Sequence, residues 1–183
     1  MGFIVRDHHH AGPAVRLVCA RAPAPVHRQH GLTMIRNAIP DDVPALVDLG
    51  ALMAAESPRY RRYRFSAPKL AALFERLIAS DDGFLMMAER DGAPIGVMAA
   101  TVMEHWMSED RIACDFGLFI DPEHRGGMLA ARFVRTYRQW ARERGAIDTF
   151  LGISTGVHVE QTARFYKTLG LIEASITFEV PHV

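Results

Sequence analysis

The sequence has 183 residues, a formal net charge of zero and 49% apolar residues, which is typical of a globular domain large enough to bury one core. Proteins that bind nucleic acid or anionic membranes normally carry an excess of basic residues, so the balanced charge argues against both partners. Two cysteines cannot form a disulfide framework, and no apolar run reaches the roughly 20 residues of a membrane-spanning helix. We expect one domain, located in the cytoplasm.

The first 33 residues differ in composition from the rest of the chain. They contain four arginines, a single acid, a histidine triplet at residues 8–10 and a Pro-Ala-Pro stretch. We interpret the triplet as part of a solvated tail and predict no metal site. An arginine-rich, acid-poor leader is typical of organellar targeting, but Met34 also opens a natural first strand, and we favour translation from an upstream start. We expect residues 1–33 to be a disordered extension and residues 34–183 to be the folded domain.

Two helices are predicted to follow a first strand. Residues 34–38 have the composition of a strand, and an acidic turn then opens a helix whose apolar residues recur at intervals of three and four up to residue 53. A polar link with Ser57-Pro58 and four arginines leads to a second amphipathic helix, whose apolar stripe covers residues 70–78. The chain therefore begins in the order β-α-α.

Strands and helices alternate in the second half of the chain. Three antiparallel strands are predicted over residues 84–89, 94–104 and 112–120, with an Asp-Gly turn between the first two. Helical spacing follows from residue 129 to Gly145 and from residue 159 to Gly170. Further strands are predicted over residues 147–153 and from about residue 172 to residue 180. The predicted fold is an α/β (α+β) mixed sheet in the order β-α-α-β-β-β-α-β-α-β, with a right-handed strand-helix-strand crossover.

The loop after the third antiparallel strand is suited to binding a diphosphate. Residues 120–127 read Ile-Asp-Pro-Glu-His-Arg-Gly-Gly and precede a predicted helix. Diphosphates bind where several backbone N–H groups converge at the positive end of a helix. Gly126 and Gly127 would let the backbone approach the phosphates, and Arg125 would add charge. Two glycines alone indicate no more than a turn, so the flanking strand and helix carry this prediction.

Over residues 34–180 the order of elements resembles the GNAT superfamily of acyl-coenzyme-A-dependent N-acyltransferases. The central motif of that family is Arg or Gln, two residues of any kind, Gly, one residue of any kind, and Gly or Ala. Arg125 and Ala130 fit its first and last positions, whereas Met128 stands at the glycine position. A second motif, Phe-Tyr followed by Leu-Gly-Phe, is similar to residues 165–171. Met128 also raises an alternative, a catalytically weak GNAT-fold module that binds acyl-coenzyme A or a protein partner.

This resemblance implies an N-acetyltransferase that uses acetyl-CoA as cosubstrate and a primary amine of a small molecule or peptide as acceptor, by direct attack in a ternary complex. The strand before the loop would pair with the pantetheine arm, and the loop and first helical turn would hold the pyrophosphate. The implied coenzyme-binding residues are Leu118, Phe119, Ile120, Arg125, Gly126, Gly127, Met128, Leu129 and Ala130. Tyr166 would be the acid that faces the leaving thiolate.

The sequence leaves the catalytic base open. An alkyl amine has a pKa near about 10 and is mostly protonated at neutral pH, so a group that removes its proton is expected. Asp115 lies in the strand that leads to the loop, and Glu104 ends the preceding strand, so each carboxylate could reach the cleft. Cys114 could act only as a nucleophile, and it is a weaker candidate for catalysis than the two carboxylates, because no His and Asp arrangement frames it.

The resemblance also implies that the acceptor binds beneath the two-helix segment and its link. The candidate residues are Glu56, Arg59, Tyr60 and Trp106. The arginines and tyrosines of the link could grip a carboxylate, a phosphate or an aromatic group, whereas Glu56 would suit a cationic amine. A run of arginines is also typical of a solvated face, and Trp106 could simply pack. A homodimer is left open by the sequence.

Overall fold

A computed structural model describes residues 32–180, which form a five-stranded sheet with helices on both faces. The strands are β1 (Met34–Asn37), β2 (Gly83–Arg90), β3 (Ala93–Glu104), β4 (Arg111–Ile120) and β5 (Asp148–Phe150). The helices are α1 (Val43–Glu56), α2 (Ala67–Ala79), α3 (Leu129–Glu143) and α4 (Val159–Thr168), and one-turn 3₁₀ helices cover Pro40–Asp42, Tyr60–Arg62 and Pro122–His124. The predicted extension lies outside the described residues, apart from its last two, and stays a prediction.

The sheet follows the chain order β1-β2-β3-β4-β5. The first three neighbouring pairs are antiparallel, and only β4 and β5 are parallel, with α3 as the connection between them. At the hairpin between β2 and β3, Asp91 and Gly92 have φ angles of 53° and 77°. Two successive positive φ angles are those of a type I′ turn, which matches the twist of the flanking strands. The predicted Asp-Gly hairpin is confirmed.

The sheet is buried on both faces by two separate apolar clusters. On one face α3 packs Phe133 and Tyr137, both fully buried, against the strands. On the other face α1 and α2 contribute Leu46 and Phe74. Strands covered on both sides have continuous apolar sequences instead of an alternating pattern, as in the buried centres of β2 and β3. No helix among residues 32–180 is long and apolar enough to cross a bilayer.

The predicted final strand is wrong. Within the described chain, residues 172–180 belong to no strand, and the preceding Leu171 only donates its N–H to the carbonyl oxygen of Tyr166, at 3.1 Å. Apolar and polar residues do alternate here, but Ile172 and Phe178 are each 89% exposed. Alternation produces a strand only where a neighbouring strand supplies backbone hydrogen bonds, and within residues 32–180 this stretch pairs with no strand, including the free outer edge of β5. The strand predicted over residues 147–153 is also shorter, since β5 has three residues.

Candidate active site

The site lies where β4 and β5 separate. The two strands pair from Ile112 with Asp148 to Cys114 with Phe150, and β5 then ends. On its other side β4 remains paired with β3 as far as Ile120. From Asp115 to Ile120, β4 therefore has one free edge. A cavity of about 200 Å³ opens beside it, bounded by the end of α1, the segment after β5 and helix α4.

A β-bulge shapes the wall of this cavity. Ala99 of β3 faces Gly117, whereas the next residue, Ala100, faces Asp115, so Phe116 has no partner in the register. One extra residue reverses the alternation of side chains along the strand. Phe116 is consequently 47% exposed, and Asp115 and Gly117 on either side of it line the cavity.

Asp115 is a half-buried carboxylate without a cationic partner among the described residues. Its Oδ1 accepts the N–H of Gly152 at 2.9 Å, across the gap between the separated strands. Among residues 32–180 no arginine, lysine or histidine forms an ion pair with it. Burial raises the pKa of Asp115 to about 6, although the hydrogen bond from Gly152 opposes that shift. The group is ionised at neutral pH, and its pKa lies close enough to neutrality for general base catalysis.

Tyr166 reaches the same cavity from α4. Burial, followed by the nearby negative charge of Asp115, raises the pKa of the Tyr166 hydroxyl to about 12. The hydroxyl makes no hydrogen bond with any residue in the described part of the chain, so it is open to a ligand. Tyr166 is therefore a neutral hydrogen-bond donor throughout the usual pH range of an enzyme.

Arg125 and Glu56 close one side of the cavity. Nη1 and Nη2 of Arg125 donate to the two carboxylate oxygens of Glu56, each at 2.6 Å, and Nε donates to the carbonyl oxygen of Ile120 at 2.8 Å. The guanidinium carbon also lies 5.4 Å from the centre of the Phe119 ring. Hydrogen bonding from Arg125 holds the pKa of Glu56 below its ordinary value.

The loop between β4 and α3 has the open backbone that a diphosphate site requires. Gly126 has a φ angle of 87°, a left-handed conformation that favours glycine. A side chain placed at either Gly126 or Gly127 would meet no atom within 4 Å, so the space above the loop is free. Met128, at the N-cap of α3, is 62% exposed, and Leu129 after it is buried.

Most of the predicted site residues converge on the cavity. Those that line it are Glu56, Tyr60, Asp115, Leu118, Phe119, Ile120, Arg125, Ala130 and Tyr166. The predicted coenzyme-binding residues Gly126, Gly127, Met128 and Leu129 lie outside the lining, on the loop and the start of α3.

Three other predicted residues do not reach the cavity. Glu104 is paired with Arg111 at the opposite end of β4, and Trp106 is 83% exposed in the turn that precedes this strand. Arg59 forms an ion pair with Glu179, in which Nε lies 3.1 Å from a carboxylate oxygen.

Sequence reasoning missed the contacts that hold the link against the segment after β5. Ser57 is fully buried, donates its hydroxyl to the carbonyl oxygen of Thr155 at 2.5 Å and accepts the N–H of Tyr60 at 3.0 Å. The Tyr60 hydroxyl lies 2.5 Å from the Ser154 hydroxyl. His158, which also lines the cavity, precedes α4 with a φ angle of 49°. No local pattern in the sequence indicates these contacts, because Ser57 and Thr155 lie 98 residues apart in the chain.

Solved structures of acetyltransferases share this fold. The aminoglycoside N-acetyltransferase AAC(6')-Iy in complex with CoA is 15% identical, with a TM-score of 0.68 over 85% of this chain and 97% of that protein. Glucosamine-6-phosphate N-acetyltransferase from Arabidopsis thaliana is 16% identical, with a TM-score of 0.64 over 82% of this chain and 98% of that one. At these identities the likeness shows a common fold.

The family follows from the sequence itself. The profile of the Acetyltransferase (GNAT) family matches residues 50–171, and the chain belongs to this family. An uncharacterised N-acetyltransferase from Methanocaldococcus jannaschii is 25% identical over 164 residues, which are 86% of this chain and 69% of that protein. The predicted family and the mixed α/β fold are confirmed. Membership implies transfer of an acyl group from acetyl-CoA. No cluster of metal-ligating side chains occurs within residues 32–180.

Proposed function

We propose that the protein is an N-acetyltransferase that moves an acetyl group from acetyl-CoA to a primary amine of a small molecule or peptide. The observation that carries this proposal is the half-buried, unpaired carboxylate of Asp115, which shares one cavity with Tyr166 at the point where β4 leaves β5. An amine acceptor needs such a base, because most of it is protonated at neutral pH.

The free edge of β4 is suited to the pantetheine arm of the coenzyme. Beyond Cys114 the backbone of β4 has no partner strand on the side of β5, and Leu118 to Ile120 border the cavity. An extended amide-containing chain can pair with such an edge as an added strand does. The loop amides and the start of α3 would then bind the diphosphate, with Arg125 as the cationic side chain.

In the proposed reaction the amine nitrogen attacks the thioester carbonyl, the C–N bond forms and the C–S bond breaks. Asp115 takes a proton from the amine nitrogen as positive charge develops on that atom. Glu104 cannot do so, because it lies at the end of β3 that is remote from the cavity. Tyr166 donates a hydrogen bond to the departing sulfur. A thiol has a pKa of about 8.5, so full proton transfer from a tyrosine of pKa about 12 would cost roughly 5 kcal/mol. The thiolate therefore takes up the proton that Asp115 removed from the amine, so the products are the amide and the free thiol of CoA, and Asp115 returns to its ionised form.

The relatives support an amine acceptor. The relative from Methanocaldococcus jannaschii is described as an N-acetyltransferase, and the two structural neighbours are named for acetyl transfer to an aminoglycoside and to glucosamine 6-phosphate. Each of these acceptors carries an amino group. An acceptor amino group is the only feature of these relatives that we propose for this chain.

A second candidate is a module that binds acyl-CoA, or a protein partner, without turnover. Met128 favours it, because an exposed methionine stands where the family motif has glycine and the diphosphate must approach. The open space at Gly126 and Gly127 argues for the enzyme, since the neighbouring amides remain accessible.

Two measurements separate these candidates. Calorimetric titration with acetyl-CoA tests binding, and thiol release across a panel of amines tests transfer. We expect saturable binding and release that depends on both the amine and Asp115. Absence of binding at millimolar acetyl-CoA would reject the enzyme and the coenzyme-binding module together. Binding without amine-stimulated release would reject the enzyme alone.

A further inference from the structure

Glu56 pairs with Arg125, the residue that the proposed function assigns to the coenzyme diphosphate. A guanidinium has five N–H donors in a fixed fork. Arg125 uses three of them, two on Glu56 at 2.6 Å and one on the carbonyl oxygen of Ile120 at 2.8 Å. The paired Nη1 and Nη2 donors that would grip a phosphate therefore already hold a carboxylate. A diphosphate that binds Arg125 in this bidentate manner must displace Glu56.

The exchange is energetically accessible. The side chains of Arg125 and Glu56 are each 30% exposed, so a diphosphate can reach the guanidinium from solvent. Glu56 is the last residue of α1, so its carboxylate can move without disturbing the buried part of that helix. A diphosphate carries more negative charge than one carboxylate, which favours its pairing with the guanidinium.

Once Arg125 pairs with the coenzyme, the charged side chains that remain in the cavity are negative. The charged side chains that line it are Glu56, Asp115 and Arg125, and its other titratable groups are Tyr60, His158 and Tyr166. Arg59 is not available as a replacement partner, because it pairs with Glu179. After coenzyme binding, two carboxylates therefore face the acceptor. A single reactive amine at Asp115 would leave Glu56 with only the imidazole of His158 near it.

We propose that Glu56 pairs with Arg125 in the free protein and with a second ammonium group of the acceptor once the coenzyme has taken Arg125. This inference rests on the proposed function and narrows its acceptor to a di- or polycationic amine. Binding of the two substrates is then positively coupled, and each one raises the affinity for the other by the same factor.

Coenzyme titration tests the first half of the exchange. Calorimetry with CoA should show about 3- to 10-fold tighter binding to Glu56→Gln than to the unsubstituted protein, because Arg125 is released. Glu75→Gln, at an exposed position on α2, is the matched control and should leave the affinity unchanged. In an Arg125→Met background, Glu56→Gln should have no effect. Unchanged or weaker CoA binding by Glu56→Gln alone would overturn the exchange.

Acceptor kinetics test the second half. With acetyl-CoA saturating, Glu56→Gln should raise KM for spermidine and sisomicin about 10-fold or more and change kcat little, whereas KM for butylamine should stay within about twofold. Equal effects on the monoamine and the polycations, or a change in kcat alone, would overturn the assignment. Failure of the proposed function is distinguishable, because the unsubstituted protein would then bind no CoA or release no thiol with any amine.

Discussion

The corner between β1 and α1 and the cavity between β4 and β5 use the same residue types in opposite ways. In the corner, Arg36 donates to Asp42 at 2.6 and 2.8 Å and to Glu89 at 3.0 Å. That guanidinium lowers the pKa of Asp42, whereas burial raises the pKa of Asp115 in the cavity. In the corner, Arg36 pairs with both Asp42 and Glu89, and these ion pairs stabilise the fold. The cavity leaves the carboxylate of Asp115 unpaired, which costs stability and leaves that group available for the proposed role of base.

The largest expected difference is in turnover. Asp115→Asn should lower kcat/KM about 100-fold or more, because the amide cannot accept the proton of the amine. In the unsubstituted protein kcat/KM should rise with pH up to about 6, as Asp115 ionises, and this rise should be absent from Asp115→Asn. Asp42→Asn is the matched control and should keep both the rate and the pH profile. A normal profile in Asp115→Asn would mean that the unpaired carboxylate is not the base.

The two arginines should differ next in coenzyme affinity. Arg125→Met removes the charged fork beside the loop and should weaken CoA binding about 10- to 100-fold, as measured by calorimetry. Arg36→Met removes the guanidinium from the corner between β1 and α1, away from the cavity, and should alter CoA affinity less than about twofold. Similar losses in both variants would show that the effect comes from general instability and not from the site.

A smaller effect is expected from the cavity tyrosine. Tyr166→Phe removes a neutral hydrogen-bond donor to the leaving sulfur and should lower kcat about tenfold with little change in the affinity for CoA. Tyr137→Phe is the control, because the Tyr137 hydroxyl donates to the carbonyl oxygen of Phe150 at 3.2 Å, inside the fold. It should reduce stability by about 1 kcal/mol and leave kcat unchanged. Unaltered turnover in Tyr166→Phe would remove its role at the sulfur.

The smallest expected effects are on stability, and they have opposite signs. The folded pKa of Asp115, about 6, exceeds the ordinary value of 3.8, so its ionisation destabilises the fold increasingly as pH rises from about 4 to 6. Asp115→Asn should therefore raise the free energy of unfolding by about 1–3 kcal/mol at pH 7, and the gain should vanish below pH about 4.

Asp42 behaves in the opposite way, because its folded pKa is lowered. Its contribution is complete above the ordinary pKa of 3.8 and is lost as pH falls through the folded value. Asp42→Asn should lower the free energy of unfolding by about 1–3 kcal/mol at pH 7 and by less in acid. Urea titrations at several pH values measure both variants, and the same sign in both would contradict the comparison.

The elements that depend on local pattern were predictable from the sequence. The Asp91-Gly92 turn and the spacing of apolar residues in α3 need no knowledge of distant residues. The strand predicted from residue 172 failed because a strand depends on a neighbour that alternation cannot supply. Trp106 likewise gives no local signal that distinguishes an exposed turn from a cavity wall.

The site was predictable only in outline. The motif around Arg125 located the loop, but its partner Glu56 lies 69 residues earlier in the chain and is brought to it by the packing of α1. Asp115 was one of two candidate bases, and the bulge at Phe116, which the sequence does not reveal, distinguishes it from Glu104. The unusual pKa of Asp115 results from burial, a property of the assembled fold.

The exposed stretch over residues 172–180 has a practical consequence for handling this protein. Its apolar residues Ile172, Ile176, Phe178 and Val180 are all exposed on a backbone that belongs to no strand, and exposed apolar side chains favour association between chains. Arg62 and Arg59 hold this stretch through Glu179, at 2.9 and 3.1 Å. High salt weakens such exposed ion pairs. Storage at low ionic strength should therefore keep concentrated samples clear for longer.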